Sequence, residues 1–306
     1  MKLSTQTDAF SLHFGEKNAI RMLIQSGYDA LACSCFDMLG DDSPKMQPSY
    51  RTYAKHLRRI AEDGGVYFNQ AHAPFPSSRS DEAFTKDVFR RIVRAMEFAA
   101  LLGARNIVVH PKQHLKYSTE TAEALKQENL EFYNKLIPYC KEFNICVAIE
   151  NMWQYNSDRR IIPSVCGTIE EFCEYLRLLD SPWITACLDI GHAFLAQQDI
   201  PAFIRALSPK LQALHVHDTG YNTDLHLLPY SVGGIVWENV LKALAENEYT
   251  GELTFEADNT LKHVPVPLMQ TTAKYMHDVG RMMLKHYAAF QTIQNHRITD
   301  NGEPTA

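Results

Sequence analysis

Several features are missing from this sequence of 306 residues, and each absence argues against a class of protein. No apolar run approaches the ~20 residues of a membrane-spanning helix, so we expect no membrane partner. The first residues, Met1 to Gln6, lack the apolar stretch of a secretory signal. The seven cysteines are scattered without a Cys-x-x-Cys pair, which favours free thiols in a reducing cytoplasm.

An excess of basic residues is also missing. Lys and Arg number 30 against 36 Asp and Glu, and the net charge at pH 7 is -6. Proteins that grip duplex phosphates usually carry a basic excess, so we expect no nucleic-acid partner. No Pro/Gly/Ser-rich linker divides the chain, which indicates a single domain.

Strand-like and helical patterns alternate along the chain. The predicted strands are Lys2–Thr7, Tyr28–Ser34, Val66–Ala71, Asn106–His110, Ile145–Asn151, Ile184–Ile190, Leu211–His217 and Glu252–Ala257. The predicted helices are Glu16–Ser26, Tyr50–Glu62, Glu82–Leu102, Thr119–Glu142, Ile169–Leu179, Ile200–Leu207, Trp237–Glu246 and Pro267–Tyr287. Strict alternation of this kind predicts an α/β fold, a (β/α)8 TIM barrel over residues 1–287, with a polar C-terminal tail at 288–306.

Six successive predicted strands end in or beside a histidine or a carboxylate. These residues are His72, His110, Glu150, Asp189, His215 and Glu256. In a barrel the carboxyl ends of the strands converge on one rim, so we expect these side chains to meet there. Side-chain alternation places Glu150 on the inner face with Ala148, and Asp189 with Cys187.

Carboxylates crowded into a barrel mouth repel one another unless a cation neutralises them. A divalent ion supplies that charge. Mixed carboxylate and imidazole ligands suit manganese, cobalt, zinc or iron better than calcium. The strand ends therefore predict a divalent metal site.

The strand-end motifs resemble those of the xylose-isomerase-like TIM barrels, which include sugar isomerases, ketose 3-epimerases, inosose dehydratases and the endonuclease IV group. The resemblance is strongest in Ile149-Glu150-Asn151, Leu188-Asp189-Ile190-Gly191-His192, His215-Val216-His217-Asp218, Asp224-Leu225-His226 and Phe255-Glu256. It implies one divalent cation (Mn, Co or Zn, with Mg as a further candidate) held by Glu150, Asp189, His215 and Glu256. His215 is preferred to His217 because the family pattern has an acidic residue three positions after the ligand, here Asp218. His192 is expected to bind substrate oxygens.

The resemblance implies a metal-dependent isomerase or epimerase whose partner is a sugar or sugar phosphate. Glu150 and Glu256 would flank the bound sugar as catalytic residues. One carboxylate would remove a proton beside a metal-polarised carbonyl and give an enediolate. Return of the proton to the opposite face gives an epimer, and return to the neighbouring carbon gives an isomer.

Other functions on the same scaffold stay open, among them keto-inositol dehydration and C-glycoside deglycosylation. Additional metal-binding or substrate-binding residues would fit a multi-metal endonuclease IV-like phosphodiesterase: His72 and His110 beside Glu150, and His192, His217, Asp224 and His226. The acidic charge balance argues against that alternative. A carbohydrate-binding or scaffold protein without catalysis is a further alternative.

Several residues bear on the substrate and on assembly. Ketose 3-epimerases carry an Arg where this chain has Tyr221, so the substrate contacts are expected to differ. Lys112 and the pair Arg159-Arg160 are candidates for binding a phosphate group. Trp153, three residues after Glu150, is expected to form a substrate wall. The methionines of the last predicted helix suggest either outer-layer packing or a homo-oligomer contact.

Overall fold

The computed structural model describes residues 1–300, with side chains through residue 294. Within that range the strands are β1 (Lys2–Gln6), β2 (Ala30–Ser34), β3 (Tyr67–His72), β4 (Asn106–Val109), β5 (Cys146–Glu150), β6 (Trp153–Tyr155), β7 (Ile161–Pro163), β8 (Ile184–Asp189), β9 (Leu211–His215) and β10 (Glu252–Phe255). The α-helices are α1 (Asp8–Phe14), α2 (Glu16–Ser26), α3 (Tyr50–Asp63), α4 (Glu82–Leu102), α5 (Ala122–Phe143), α6 (Ile169–Leu179), α7 (Ile190–Leu195), α8 (Ile200–Leu207), α9 (Trp237–Glu246), α10 (Asn259–Lys262) and α11 (Met269–Asp300). Short 3-10 helices cover Phe36–Leu39 and Val266–Leu268.

Eight strands form one parallel sheet in the order β10-β1-β2-β3-β4-β5-β8-β9. The sheet closes between its two end strands, where the Val216 amide donates to the Thr254 carbonyl at 2.9 Å. The Glu256 amide then donates to the Val216 carbonyl at 3.2 Å. The fold is therefore a single-domain TIM barrel, as the alternation of elements predicted.

The helix boundaries have local causes. At the start of α4, the Asp81 side chain accepts a hydrogen bond from the Ala83 amide at 2.8 Å. Gly27 and Gly103 end α2 and α4 in the left-handed conformation, with φ of 97° and 92°. Gly64 is the C-cap of α3 with a φ of -90°, and the next residue, Gly65, takes the positive φ.

The barrel interior is separate from the large apolar layer between the strands and the helices. Inside it, Val108, Ala148, Cys187 and Ala213 form a small buried cluster beneath the mouth. This confirms the inward direction that alternation predicted for Ala148 and Cys187. Small side chains thus line this part of the interior, and the polar residues at the strand ends stand above them.

The structure differs from the predicted elements at several strand ends and loops. Three strands stop at Glu150, Asp189 and His215, one or two residues before their predicted ends. The long loop after β5 carries the antiparallel hairpin of β6 and β7. The sequence patterns did not predict this hairpin, because its strands are short. Among the described helices, none combines the length and the apolar character needed to traverse a lipid bilayer.

The last helix continues to Asp300, well beyond the predicted end at Tyr287. Residues 288–300 of the predicted tail therefore continue this helix, while 301–306 lie outside the described residues. Met269, Met276 and Met283 are buried, which favours outer-layer packing for these methionines. The domain boundary and the homo-oligomer contact stay predictions.

Candidate metal centre and active site

Four side chains at the carboxyl ends of successive strands meet above the barrel interior. They are Glu150, Asp189 and His215, the last residues of β5, β8 and β9, and Glu256 directly after β10. All four are buried, and one potential ligand atom of each lies within 4.8 Å of the others. The fold therefore brings these four side chains together, as expected from the sequence.

His215 lies between the two glutamates of this quartet. Its Nδ1 is 3.1 Å from Glu150 Oε1 and 3.0 Å from Glu256 Oε2. The same nitrogen is 3.8 Å from Asp189 Oδ2. Glu150 and Glu256 therefore approach one imidazole nitrogen with one oxygen each, so that both carboxylates are directed at a shared point.

His217 has a different position from His215. Its Nε2 lies 3.0 Å from Asp189 Oδ1 and 3.1 Å from Asp189 Oδ2, so it supports the Asp189 carboxylate. The His217 ring stacks on His226, with ring centroids 4.1 Å apart. The preference for His215 as the quartet's imidazole thus agrees with the geometry, while its role as a metal ligand stays a prediction.

Glu150 also reaches a second group of histidines. Glu150 Oε2 is 3.0 Å from His110 Nε2 and 3.5 Å from His72 Nε2. The two imidazole nitrogens are 3.1 Å apart. Because Glu150 Oε2 is buried without a hydrogen-bond partner of good geometry, this oxygen is available as a ligand that the quartet does not use.

A third group surrounds Asp224. Asp224 Oδ2 lies 3.1 Å from His192 Nε2 and 3.2 Å from His226 Nε2. Together with His217, these residues have ligand atoms within 4.8 Å of one another. Asp224 Oδ1 is buried and has no hydrogen-bond partner. The candidate residues from the sequence therefore form three adjoining groups.

The ionisable side chains in this cluster shift one another's pKa values. Burial raises the pKa of the Glu150 carboxyl, but the imidazoles of His215 and His110 outweigh burial and hold that pKa well below its usual range. Burial lowers the pKa of His226, but its hydrogen bond with Asp224 and the nearby Glu256, Asp224 and Asp189 charges together more than reverse this and raise the pKa to about 10. The imidazoles thus favour the charged form of the Glu150 carboxyl, and the carboxylates favour the charged form of His226. A divalent cation bound here would likewise favour the charged carboxylates.

The donor set fits a divalent metal. It combines carboxylate oxygens with imidazole nitrogens, which suits manganese, cobalt, zinc or iron. The two buried carboxylate oxygens without partners, Glu150 Oε2 and Asp224 Oδ1, are explained if each faces an ion, because buried polar atoms otherwise find a hydrogen bond. The residues present therefore fit such a group.

The cluster opens into a cavity of about 930 Å³. Phe36, Phe75 and Trp153 line it, and the Trp153 indole nitrogen is 3.4 Å from Asp224 Oδ2. Phe10 and Tyr155, two other aromatic residues that follow strand ends, do not line it. Phe10 is buried in the apolar layer, and Tyr155 packs edge-on against Trp153 at 5.1 Å.

The sequence-based prediction missed two residues of the site, one at the end of β1 and one at the start of α1. Gln6 Nε2 donates to Glu256 Oε1 at 2.6 Å. Asp8 lines the cavity and accepts a hydrogen bond from the Ser34 hydroxyl. The strand-end pattern would have found both, had it been extended from the third strand back to the first, which ends in Gln6-Thr7-Asp8.

Residues 20–278 match the xylose isomerase-like TIM barrel family, and the chain belongs to that family. A probable endonuclease 4 of Mesomycoplasma hyopneumoniae is 26% identical over 181 residues, which cover 56% of this chain and 59% of that protein. A putative L-ribulose-5-phosphate 3-epimerase of Escherichia coli is 24% identical over 191 residues, 61% of this chain and 63% of that protein. The chain thus spans less than two thirds of the length of either relative.

Among solved structures, a D-tagatose 3-epimerase-like protein is similar to the chain with a TM-score of 0.74. The match covers 96% of this chain and 99% of that chain at 22% identity. At this identity the likeness concerns the fold. The family membership expected from the strand-end motifs is confirmed.

Proposed function

We propose that this protein is a metal-dependent sugar isomerase or epimerase that moves a carbon-bound proton between Glu150 and Glu256. The observation that carries the proposal is the placement of these carboxylates, 3.1 and 3.0 Å from the same nitrogen of His215. Two carboxylates that flank one point can act on opposite faces of a carbon atom held between them. The similarity of the chain to sugar epimerases adds support.

The quartet of Glu150, Asp189, His215 and Glu256 would hold the divalent cation. A cation there would polarise a substrate carbonyl and its neighbouring hydroxyl, which acidifies the hydrogen on the carbon between them. One glutamate takes that proton and the electron pair of the C–H bond enters an enediolate. The other glutamate starts the cycle protonated and gives its proton to the opposite face, which inverts the carbon. Exchange of one proton with solvent at each glutamate then restores the starting state, so the net reaction consumes nothing.

The rest of the cavity positions the sugar. Trp153, Phe36 and Phe75 offer apolar faces against which the C–H side of a sugar ring packs. His192 donates or accepts toward substrate oxygens, and its Nδ1 is fixed by the Asn151 carbonyl at 2.9 Å. The buried floor of small side chains beneath the cluster keeps bulk water away from the reacting carbon.

A multi-metal phosphodiesterase is the second candidate function. The observation that favours it is the presence of two further groups of potential metal ligands, around His110 and around Asp224. In addition, one relative is a probable endonuclease 4. The net charge of -6 argues against duplex binding. Keto-inositol dehydration and C-glycoside deglycosylation start with the same proton abstraction, and the products of the isotope-exchange experiment would identify them.

The test is isotope exchange in deuterated water with the manganese-loaded or cobalt-loaded protein. Ketoses and keto-inositols are supplied, and carbon-bound deuterium is followed by NMR together with the products. We expect exchange with inversion or isomerisation, and a loss of about 100-fold or more in Glu150→Gln and Glu256→Gln. Glu131→Gln, exposed on α5, is the matched control.

Cleavage of an abasic-site duplex without any sugar exchange would favour the phosphodiesterase instead. Exchange with loss of water or of an aglycone would assign one of the other carbohydrate reactions. If the Glu150→Gln variant keeps full turnover, the proposed mechanism is wrong.

A further inference from the structure

Beyond the strand-end cluster the cavity is strongly acidic. Four further carboxylates, which we call the acidic wall, line it: Asp8, Glu16, Asp37 and Asp258. Among the described residues, Lys45 and Lys262 are the lysines that line the cavity, and no arginine does. A substrate group that reaches past the cluster therefore meets more carboxylates than cations.

Lys45 is not available to an anionic ligand. Its Nζ lies 2.7 Å from Glu16 Oε1 and 2.9 Å from Asp37 Oδ1. The Lys45 side chain is only 4% exposed. A buried ammonium group between two carboxylates already has its counter-charges, so it cannot also neutralise a phosphate.

Lys262 is likewise engaged, in a contact with Asp258 one helical turn away. Asp8, in contrast, has no basic side chain as a partner among the described ion pairs, and its hydrogen bond comes from the neutral Ser34 hydroxyl. Burial and then the nearby Asp258 and Glu256 carboxylates raise the pKa of Asp8 to about 6. Its surroundings thus already carry an excess of negative charge.

The two helices that begin on this wall do not offer an anion site either. A helix N-terminus attracts anions through its free amides. Here α1 and α2 each carry a carboxylate in the first turn, Asp8 and Glu16, and these side chains take the place of an external anion.

The basic residues that the sequence suggested for phosphate binding lie elsewhere. Lys112 does not line the cavity and is placed over the Phe132 ring at 5.8 Å. Arg159 and Arg160 are exposed in the turn between β6 and β7, and neither lines the cavity. The prediction that these residues bind a substrate phosphate is not supported by their positions.

We propose that the substrate is an unphosphorylated sugar whose far end is bound by hydroxyl-to-carboxylate hydrogen bonds along the acidic wall, and that Asp8 excludes phosphate esters. The inference rests on the proposed function and deepens it. Carboxylates accept hydrogen bonds from hydroxyls, whereas a phosphate monoester brings a charge of about -1.5 to -2 at neutral pH. Asp8 is the main residue in this exclusion, because no lysine or arginine pairs with it among the described ion pairs.

The test compares two matched pairs of ligands on the manganese-loaded protein: L-ribulose with L-ribulose-5-phosphate, and D-tagatose with its terminal phosphate ester. Binding is measured by titration calorimetry, and turnover by deuterium exchange. We expect the unphosphorylated member to be preferred by about tenfold or more in each pair. Asp8→Asn should narrow this preference, and Asp8→Lys should raise the affinity for the esters by about tenfold.

Asp63→Asn and Asp63→Lys make the same changes of charge on the exposed surface of α3 and serve as controls. If Asp8→Lys does not fold, the Asp8→Asn comparison carries the test. Equal or tighter binding of the phosphate esters by the unaltered protein overturns the inference, as does a preference that Asp8→Asn leaves unchanged.

The binding measurement separates the two proposals. If unphosphorylated sugars bind preferentially but no exchange occurs, this inference stands and the proposed function fails. If exchange occurs best with the esters, the proposed function stands and this inference fails. If neither member of either pair binds, both are wrong.

Discussion

The ring of His217 occupies the space where a side chain at position 191 would have to be. A Cβ atom on Gly191 would lie 2.0 Å from Cε1 of His217, well inside contact distance. Gly191 lies two residues after Asp189, the last residue of β8, whose carboxylate His217 contacts at 3.0 Å. Glycine at position 191 leaves room for the imidazole that contacts this carboxylate.

We therefore expect Gly191→Ala to displace His217 and to loosen Asp189. Overpacking of this kind costs roughly 1–3 kcal/mol of unfolding free energy, measurable by urea denaturation. Divalent-metal affinity, followed by titration, should fall in parallel. Gly40→Ala is the control, because its Cβ would meet its nearest neighbour at an ordinary 3.5 Å. Equal stability of the two variants would contradict this account of Gly191.

The quartet and the group around Asp224 share no residue, so they are separable by mutation. The quartet contains three carboxylates, and the group around Asp224 contains one, so the quartet should bind the first divalent ion more tightly. We expect Asp189→Asn to lose that ion and His226→Ala to keep it, since His226 belongs only to the Asp224 group. Elemental analysis after gel filtration measures the ions that stay bound. Loss of the tightest ion in His226→Ala but not in Asp189→Asn would reverse the assignment.

Much of this arrangement could be predicted from the sequence, because each strand ends in a residue whose chemistry is visible without coordinates. Glu150 and Asp189 follow runs of buried residues, and parallel strands in a closed barrel bring their ends together. The motif resemblance favoured His215 over His217, and the fold supplies the geometric reason, because His215 Nδ1 lies beside both Glu150 and Glu256.

Long-range pairing could not be predicted. Nothing in the local sequence pairs Lys45 with Glu16, whose contact at 2.7 Å depends on how the loop after β2 packs on the start of α2. The same limit applies to Asp8. The sequence places Asp8 at a strand end. Its lack of a cation partner depends on the fold, because the nearby lysines already pair with other carboxylates.

Asp8 gives the protein a pH-dependent stability that can be measured without substrate. Its pKa is raised from 3.8 to about 6 by burial and by the Asp258 and Glu256 carboxylates, against which the Ser34 hydrogen bond and His72 act in the lowering direction. The folded state thus binds this proton more tightly than the unfolded state. That contribution is complete below about pH 4 and is lost as the pH rises through about 6.

Asp8→Asn removes the ionisable group and should stabilise the metal-free protein at pH 7 by roughly 1–2 kcal/mol, a value reduced for the partial exposure of Asp8. The gain should shrink toward pH 4 and vanish below about pH 3, where Asp8 is protonated in both states. Denaturation at a series of pH values measures it, with Asp63→Asn as the exposed control. A gain that does not change between pH 4 and pH 7 would show that ionisation of Asp8 is not its source.

Gln6 positions one of the two proposed catalytic carboxylates. Its side-chain amide donates to Glu256 Oε1 at 2.6 Å, and Gln6 is 8% exposed. The other oxygen, Oε2, lies 3.0 Å from His215 Nδ1. With one oxygen held by an amide and the other directed at the imidazole, the carboxylate has a single orientation toward the substrate.

Gln6→Ala should let the Glu256 carboxylate rotate without removing it. A hydrogen bond to a charged group contributes about 1.5–3 kcal/mol, so we expect kcat/KM to fall roughly 10- to 100-fold. The fall should lie in kcat, because the aromatic walls and the acidic wall that bind the sugar are unchanged. Steady-state kinetics with Gln47→Ala, on an exposed loop, as control separates the two constants. A fall confined to KM would make Gln6 a substrate-binding residue and leave the orientation of Glu256 to its contact with His215.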